Sequence, residues 1–148
     1  APLIVNDDLR LADLADADGV HLGRTDGSVR EARIVLGSGK FVGASCYQSL
    51  DLARAAEAAG ADYVAFGSFF PSPTKPGAAH APIGLLRAAR DELRLPLVAI
   101  GGIAPDNAAA LLDAGADSLA VLSAVFGAPD IRAAARAFNL LFETEPED

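Results

Sequence analysis

At 148 residues the chain has the length of one domain and is too short for two. A hydrophobic fraction of 51%, a charged fraction of 22% and a mean hydropathy of +0.29 supply material for a core and exclude intrinsic disorder. The net charge of −8, with lysine only at Lys40 and Lys75, leaves no basic stripe to neutralise a phosphate backbone, so nucleic acid is excluded as an expected partner.

In chain order, the first predicted strand is Leu3–Val5, ending in Asn6-Asp7, and the second is Gly19–Leu22, ending at Gly23. A helix is predicted over Ser28–Leu36, where Ser28 and Glu31 form a capping box and Gly37 is the stop. The third strand, Phe41–Ala44, runs into Ser45-Cys46 and is followed by a helix over Ser49–Ala59 that stops at Gly60. The fourth, Tyr63–Phe66, ends at Gly67-Ser68 and leads into a long loop from Pro71 to Pro82, then a helix over Ile83–Leu93. The fifth, Leu97–Ile100, ends at Gly101-Gly102; Pro105 opens the next helix, which runs to Ala114 and stops at Gly115. The sixth, Ser118–Leu122, reaches Ser123, and Asp130 caps a last helix to Phe142.

The segments Ala59-Gly60-Ala61-Asp62-Tyr63-Val64 and Ala114-Gly115-Ala116-Asp117-Ser118-Leu119 share one design, echoed by Ala15-Asp16-Ala17-Asp18-Gly19-Val20. Each feeds a helix stop into a strand. Six successive βα units predict a parallel sheet covered by helices, either doubly wound or part of a (β/α)8 barrel. Small or polar residues close almost every strand at its C-terminal end, and barrels collect their chemistry on that rim. The expectation is a TIM barrel short of two of its eight units, with residues 1–142 forming one domain and 143–148 an acidic tail.

No apolar run approaches the roughly 18 residues of a membrane span, so no membrane partner is expected. The first residues lack the charged segment of a secretory signal, and the single Cys46 forms no internal disulfide, which points to a cytoplasmic location. The chain has no methionine and opens directly on a strand, from which a fragment is expected.

Several residues on the predicted rim carry chemistry. A glycine pair before a helix, Gly101-Gly102, lets backbone amides approach an anion, and Leu122-Ser123 ends the next strand where barrels place phosphate; a plain tight turn is the alternative. Asp7 and Asp26 follow successive strands and supply the half-site that Mg²⁺ uses when substrate phosphates complete it. Asp8, Asp13, Asp16 and Asp18 crowd the same stretch, so surface charges or caps are the competing reading. Lys75, set among hydroxyls in the Pro71–Pro82 loop, reads as an anion clamp or as a solvated side chain. Cys46 reads as a wall residue and His21 as a packed or rim histidine, while His80 gives no further signal.

The strings Val5-Asn6-Asp7-Asp8, Ala17-Asp18-Gly19-Val20-His21-Leu22-Gly23 with Asp26, Gly43-Ala44-Ser45, Gly60-Ala61-Asp62-Tyr63-Val64, Phe70-Pro71-Ser72-Pro73-Thr74-Lys75, Ala99-Ile100-Gly101-Gly102-Ile103 and Leu122-Ser123-Ala124-Val125 cover nearly the whole chain. In this order the chain resembles the thiamine phosphate synthase family, (β/α)8 enzymes of thiamine biosynthesis. The resemblance implies a transferase that joins a hydroxymethylpyrimidine diphosphate to a thiazole phosphate, through loss of pyrophosphate and capture of a carbocation by the thiazole nitrogen. It implies Asp7 and Asp26 as Mg²⁺ ligands. Asn6, Ser45 and Lys75 are implied at the pyrimidine diphosphate, with Ser45 and Lys75 in the catalytic roles. Ser72, Pro73, Thr74, Gly102, Leu122 and Ser123 are implied at the thiazole phosphate.

Two departures stand out. Arg24-Thr25 replaces the family's Gln-Glu, and Ser72 replaces a common threonine. The family's first two βα units, with a glutamine and basic residues that bind diphosphate, have no counterpart, so truncation or supply by a second polypeptide is expected. A thiazole tautomerase of the same fold is an alternative, disfavoured because Cys46-Tyr47-Gln48 follows Ser45 where that relative places a histidine. A non-catalytic phosphate-binding remnant is another. The partners expected are small-molecule substrates, and an oligomer is compatible with the sequence.

Overall fold

Each of the six apolar runs forms a strand, and all pair in parallel in the order β1-β2-β3-β4-β5-β6. This computed structural model describes residues 1–72, 77 and 79–143. The elements are β1 (Ile4–Asn6), α1 (Leu9–Leu14), β2 (Gly19–Leu22), α2 (Val29–Leu36), β3 (Phe41–Tyr47), α3 (Leu50–Ala59), β4 (Tyr63–Gly67), α4 (Gly84–Glu92), β5 (Leu97–Ile100), α5 (Pro105–Asp113), β6 (Ser118–Ala120), α6 (Ser123–Phe126) and α7 (Ile131–Glu143). The sheet curls into a half-barrel of the TIM-barrel kind. Among the described residues no helix is long and apolar enough to cross a membrane.

The strands alternate. Val20, Leu22, Val42, Ala44, Val64, Phe66, Leu97 and Ala99 are buried against the helices, where small residues such as Ala12, Ala32, Ala53, Ala56 and Ala89 let the helices approach closely. The intervening residues, among them His21, Gly43, Ser45 and Tyr63, take the opposite face, which is the inside of the curl.

The repeated aspartates have a structural task. Asp18, Asp62 and Asp117 each donate a backbone N–H to the carbonyl of Leu3, Val42 and Leu97, at 2.9, 2.8 and 2.8 Å. Each then accepts, through its own carboxylate, the N–H of that same residue at 2.7 Å. The repeat thus pins each strand to the start of its predecessor. Arg33 braces Asp62 and the Gly60 carbonyl, and Arg90 does the same for Asp117 and Gly115. Asp62→Ala leaves the Val42 N–H without its side-chain acceptor beneath a fully buried residue. It is expected to lower stability by about 1–3 kcal/mol, read as a shift in the urea midpoint at constant m.

Several elements differ from the sequence reading. Helix α1 lies in a stretch with no predicted element, because six residues are too few to display helical periodicity; Asp8, one of the crowding aspartates, is its cap, accepting the Leu11 N–H at 2.9 Å. Strand β3 runs to Tyr47, past the predicted end at Ala44; its register against β4 shifts between Ser45 and Tyr47, where Tyr47 takes a left-handed φ of 54° and Cys46 stays in the outer core. Strand β6 ends at Ala120, before the predicted Leu122, and the chain turns at Leu122 into the short α6. Helix α7 extends through Glu143, while residues 144–148 of the expected tail lie outside the described residues.

Candidate active site

The register sets Asn6, His21, Gly43 and Tyr63 side by side across β1 to β4. His21 joins this row to Ser45: its Nδ1 lies 3.0 Å from Tyr63 Oη and its Nε2 2.8 Å from Ser45 Oγ. The two rings stack with centroids 5.5 Å apart. Burial holds the His21 pKa below its ordinary value, against the pull of the Asp7 and Asp26 carboxylates. Both carboxylates therefore lie within electrostatic reach of one imidazole.

Asp7 stands just past β1 with a left-handed φ of 68°, and its N–H donates to the His21 carbonyl at 2.8 Å. Asp26 folds back over its own turn, one carboxylate oxygen accepting the Gly23 N–H at 2.8 Å. Among the described residues no three His, Cys, Asp or Glu side chains converge on a metal position. Two carboxylates without nitrogen or sulfur ligands suit a hard cation that completes its shell with water and phosphate oxygens, and not zinc. The chemistry of these donors fits a hard divalent cation.

Beside this row opens a cavity of about 820 Å³. One wall carries Arg24, Ser45, Tyr47 and Gln48, a second Gly67, Ser68, Pro71 and Ser72, a third the Gly101–Ala104 turn, and a fourth Leu122-Ser123. Ser45, Ser72, Gly102, Leu122 and Ser123 are thereby brought together, whereas Asn6, Asp7 and Asp26 stand off its walls at the β1 and β2 ends. Pro73, Thr74 and Lys75 lie outside the described residues.

The glycine pair is required on packing grounds as well. Gly101 and Gly102 have φ of 102° and 64°, and a Cβ on them would come within 2.0 Å of Ser68 Oγ and 2.4 Å of the Pro71 carbonyl oxygen. Their lack of side chains lets the segment after β4 lie directly on the turn. Asn107 locks that turn, donating to the Gly102 carbonyl at 3.1 Å and accepting from the Ala104 N–H at 2.9 Å.

Sequence reasoning missed Arg24, Tyr47, Gln48 and Ser68 on the cavity walls. The Arg24 guanidinium lies 5.0 Å from the Tyr47 ring centroid, and the Arg24 backbone N–H donates to Tyr47 Oη at 3.2 Å. Gln48 donates to the Ala79 carbonyl at 2.9 Å. The available signal was the alternation of Gly43, Ser45 and Tyr47, which continues the strand by period two beyond its aliphatic run. Cys46, by contrast, is fully buried in the outer core and its thiol is pushed up to about 12 by burial. It should resist a thiol reagent at pH 8 in the folded protein and react at once in denaturant, read as absorbance against time.

A family model described as thiamine monophosphate synthase matches residues 1–125. The chain is 74% identical over 147 residues to a thiamine-phosphate synthase of Thiobacillus denitrificans, covering 99% of this chain and 70% of the relative. It is 59% identical over 141 residues to that of Methylobacillus flagellatus, covering 95% and 67%. A solved structure, thiamine phosphate pyrophosphorylase from Pyrococcus furiosus, superposes with a TM-score of 0.83 at 39% identity, covering 97% of this chain and 68% of that one. The chain belongs to the thiamine monophosphate synthase family, and thiamine-phosphate synthesis, a transferase reaction, is its function.

Proposed function

We propose that the site condenses 4-amino-2-methyl-5-hydroxymethylpyrimidine diphosphate with thiazole phosphate, releasing pyrophosphate through a dissociative, carbocation-like path. The observation that carries this reading is the cavity that brings Ser45 together with the Gly102 turn and Leu122-Ser123. Ser45 and Asn6 contact the pyrimidine diphosphate, and Lys75 neutralises the charge that grows on the departing pyrophosphate. Ser72, Pro73, Thr74, the Gly102 amide, Leu122 and Ser123 hold the thiazole phosphate so that its ring nitrogen lies in line with the breaking bond. Asp7 and Asp26 hold Mg²⁺, which supplies charge neutralisation for the diphosphate. The walls keep water from the cation, which would otherwise be captured as the alcohol.

The six units belong to a (β/α)8 barrel that closes when two more βα units join β6 to β1, and residues 1–142 are part of that one domain. We place the protein in the cytoplasm, where such small-molecule synthesis occurs. The test is formation of thiamine phosphate from both substrates. Product is expected with Mg²⁺ and none with a chelator in excess; isomerisation of the thiazole phosphate alone, or binding without turnover, defeats the reading.

A further inference from the structure

Tyr63 lies outside the residues assigned above, yet the fold makes room for it at a cost. Gly43 sits between His21 and Tyr63 in the register, and a Cβ there would fall 2.0 Å from Tyr63 Cζ and 2.3 Å from its hydroxyl oxygen. Only a residue without a side chain lets the phenol cross β3 and reach His21 on β2.

The resulting chain runs from Tyr63 through His21 to Ser45, and its protons can be arranged in two ways when both rings are neutral. In one, Ser45 donates to Nε2 and Nδ1–H donates to Tyr63. The phenolic proton then has no acceptor, because His21 is the only hydrogen-bond partner of Tyr63 Oη among the described residues. In the other, Tyr63 donates to Nδ1, Nε2–H donates to Ser45, and the Ser45 proton is left to face the cavity. Each arrangement leaves one hydroxyl proton over; the second puts it on Ser45, which lines the cavity where solvent or substrate can accept it, and pairs the more acidic hydroxyl with the basic ring nitrogen.

We propose that Tyr63 is a positioning residue: it fixes His21 as the Nε2–H tautomer and so makes Ser45 a hydrogen-bond donor toward the substrate. The substrate atom that meets Ser45 is then an acceptor, a ring nitrogen or a phosphate oxygen. This rests on the reading that Ser45 contacts substrate, and the two can fail separately.

The test begins with ¹⁵N-labelled histidine in the wild type, which has only His21 and His80 to resolve. A pyridine-type resonance at His21 Nδ1 and a pyrrole-type one at Nε2 are expected, and Tyr63→Phe should mix or reverse them while leaving the exposed His80 unchanged. In the assay Tyr63→Phe should lower kcat/KM roughly three- to tenfold. On a Ser45→Ala background the same change should cost less than about twofold. A wild-type His21 protonated at Nδ1 overturns the proposal without any variant. So does a tautomer indifferent to Tyr63→Phe, or a loss that persists undiminished without Ser45. Should Ser45→Ala alone leave kcat/KM intact while the tautomer responds, the substrate contact at Ser45 is what fails, and the positioning role falls with it.

Discussion

Asp26→Asn is expected to lower kcat on the order of 10²–10³-fold at saturating substrates, the scale of losing one preorganised charge stabiliser. Asparagine is the informative replacement because the Asp26 side chain accepts the Gly23 N–H at 2.8 Å, and an amide oxygen keeps that bond while removing the charge. Alanine would open the turn that carries Arg24 and confuse loss of metal with loss of loop. Asp7→Asn behaves alike, since asparagine tolerates the left-handed φ of 68° found there. A metal held by two carboxylates and substrate oxygens loses affinity when one carboxylate is neutralised, so raising Mg²⁺ should restore part of the rate. Unchanged activity at limiting Mg²⁺, with the urea midpoint preserved, would remove Asp26 from the metal site.

The second large effect is at Lys75, where alanine is expected to reduce kcat by about 10²-fold or more. The chain has two lysines, and Lys40 is engaged elsewhere: its ammonium lies 2.7 Å from the Asp16 carboxylate, at the N-terminal end of β3 and away from the cavity. Among the described residues the cavity walls hold one cation, Arg24, stacked over Tyr47. Charge on a leaving pyrophosphate grows as the bond breaks, so a cation placed on it lowers the barrier more than it improves binding. Lys75→Arg should recover little, because a planar fork does not replace a compact charge. Steady-state kinetics with Mg²⁺ and both substrates saturating decide the matter. If alanine raises only KM, Lys75 docks substrate and has no part in the chemical step.

Much of the fold was legible because each βα unit writes its own local instructions. Ser28 and Asp130 cap the helices that follow them, Gly37 and Gly60 are helix stops, and aliphatic runs mark the strands. The repeated Gly-Ala-Asp segments announced parallel units in sequence order, as found. The same locality made the glycine pair and Ser123 readable as neighbours, since strand ends of successive units adjoin on the rim.

What sequence could not decide were contacts made across strands. The repeat read as a helix stop feeding a strand, and only pairing with the preceding strand shows that each of its aspartates clamps an amide some fifteen to twenty residues earlier. His21 had no partner within its own segment, yet it meets Tyr63 and Ser45 at sequence distances of 42 and 24 residues. Those meetings depend on the register of three strands and on one missing side chain at Gly43, which brings a phenol across a neighbouring strand. Caps, stops and apolar periods are determined by residues within a turn or two of each other, and the sequence alone settles them. Which polar groups share protons inside the curl depends on distances fixed by the whole sheet, and that only the tertiary structure decides.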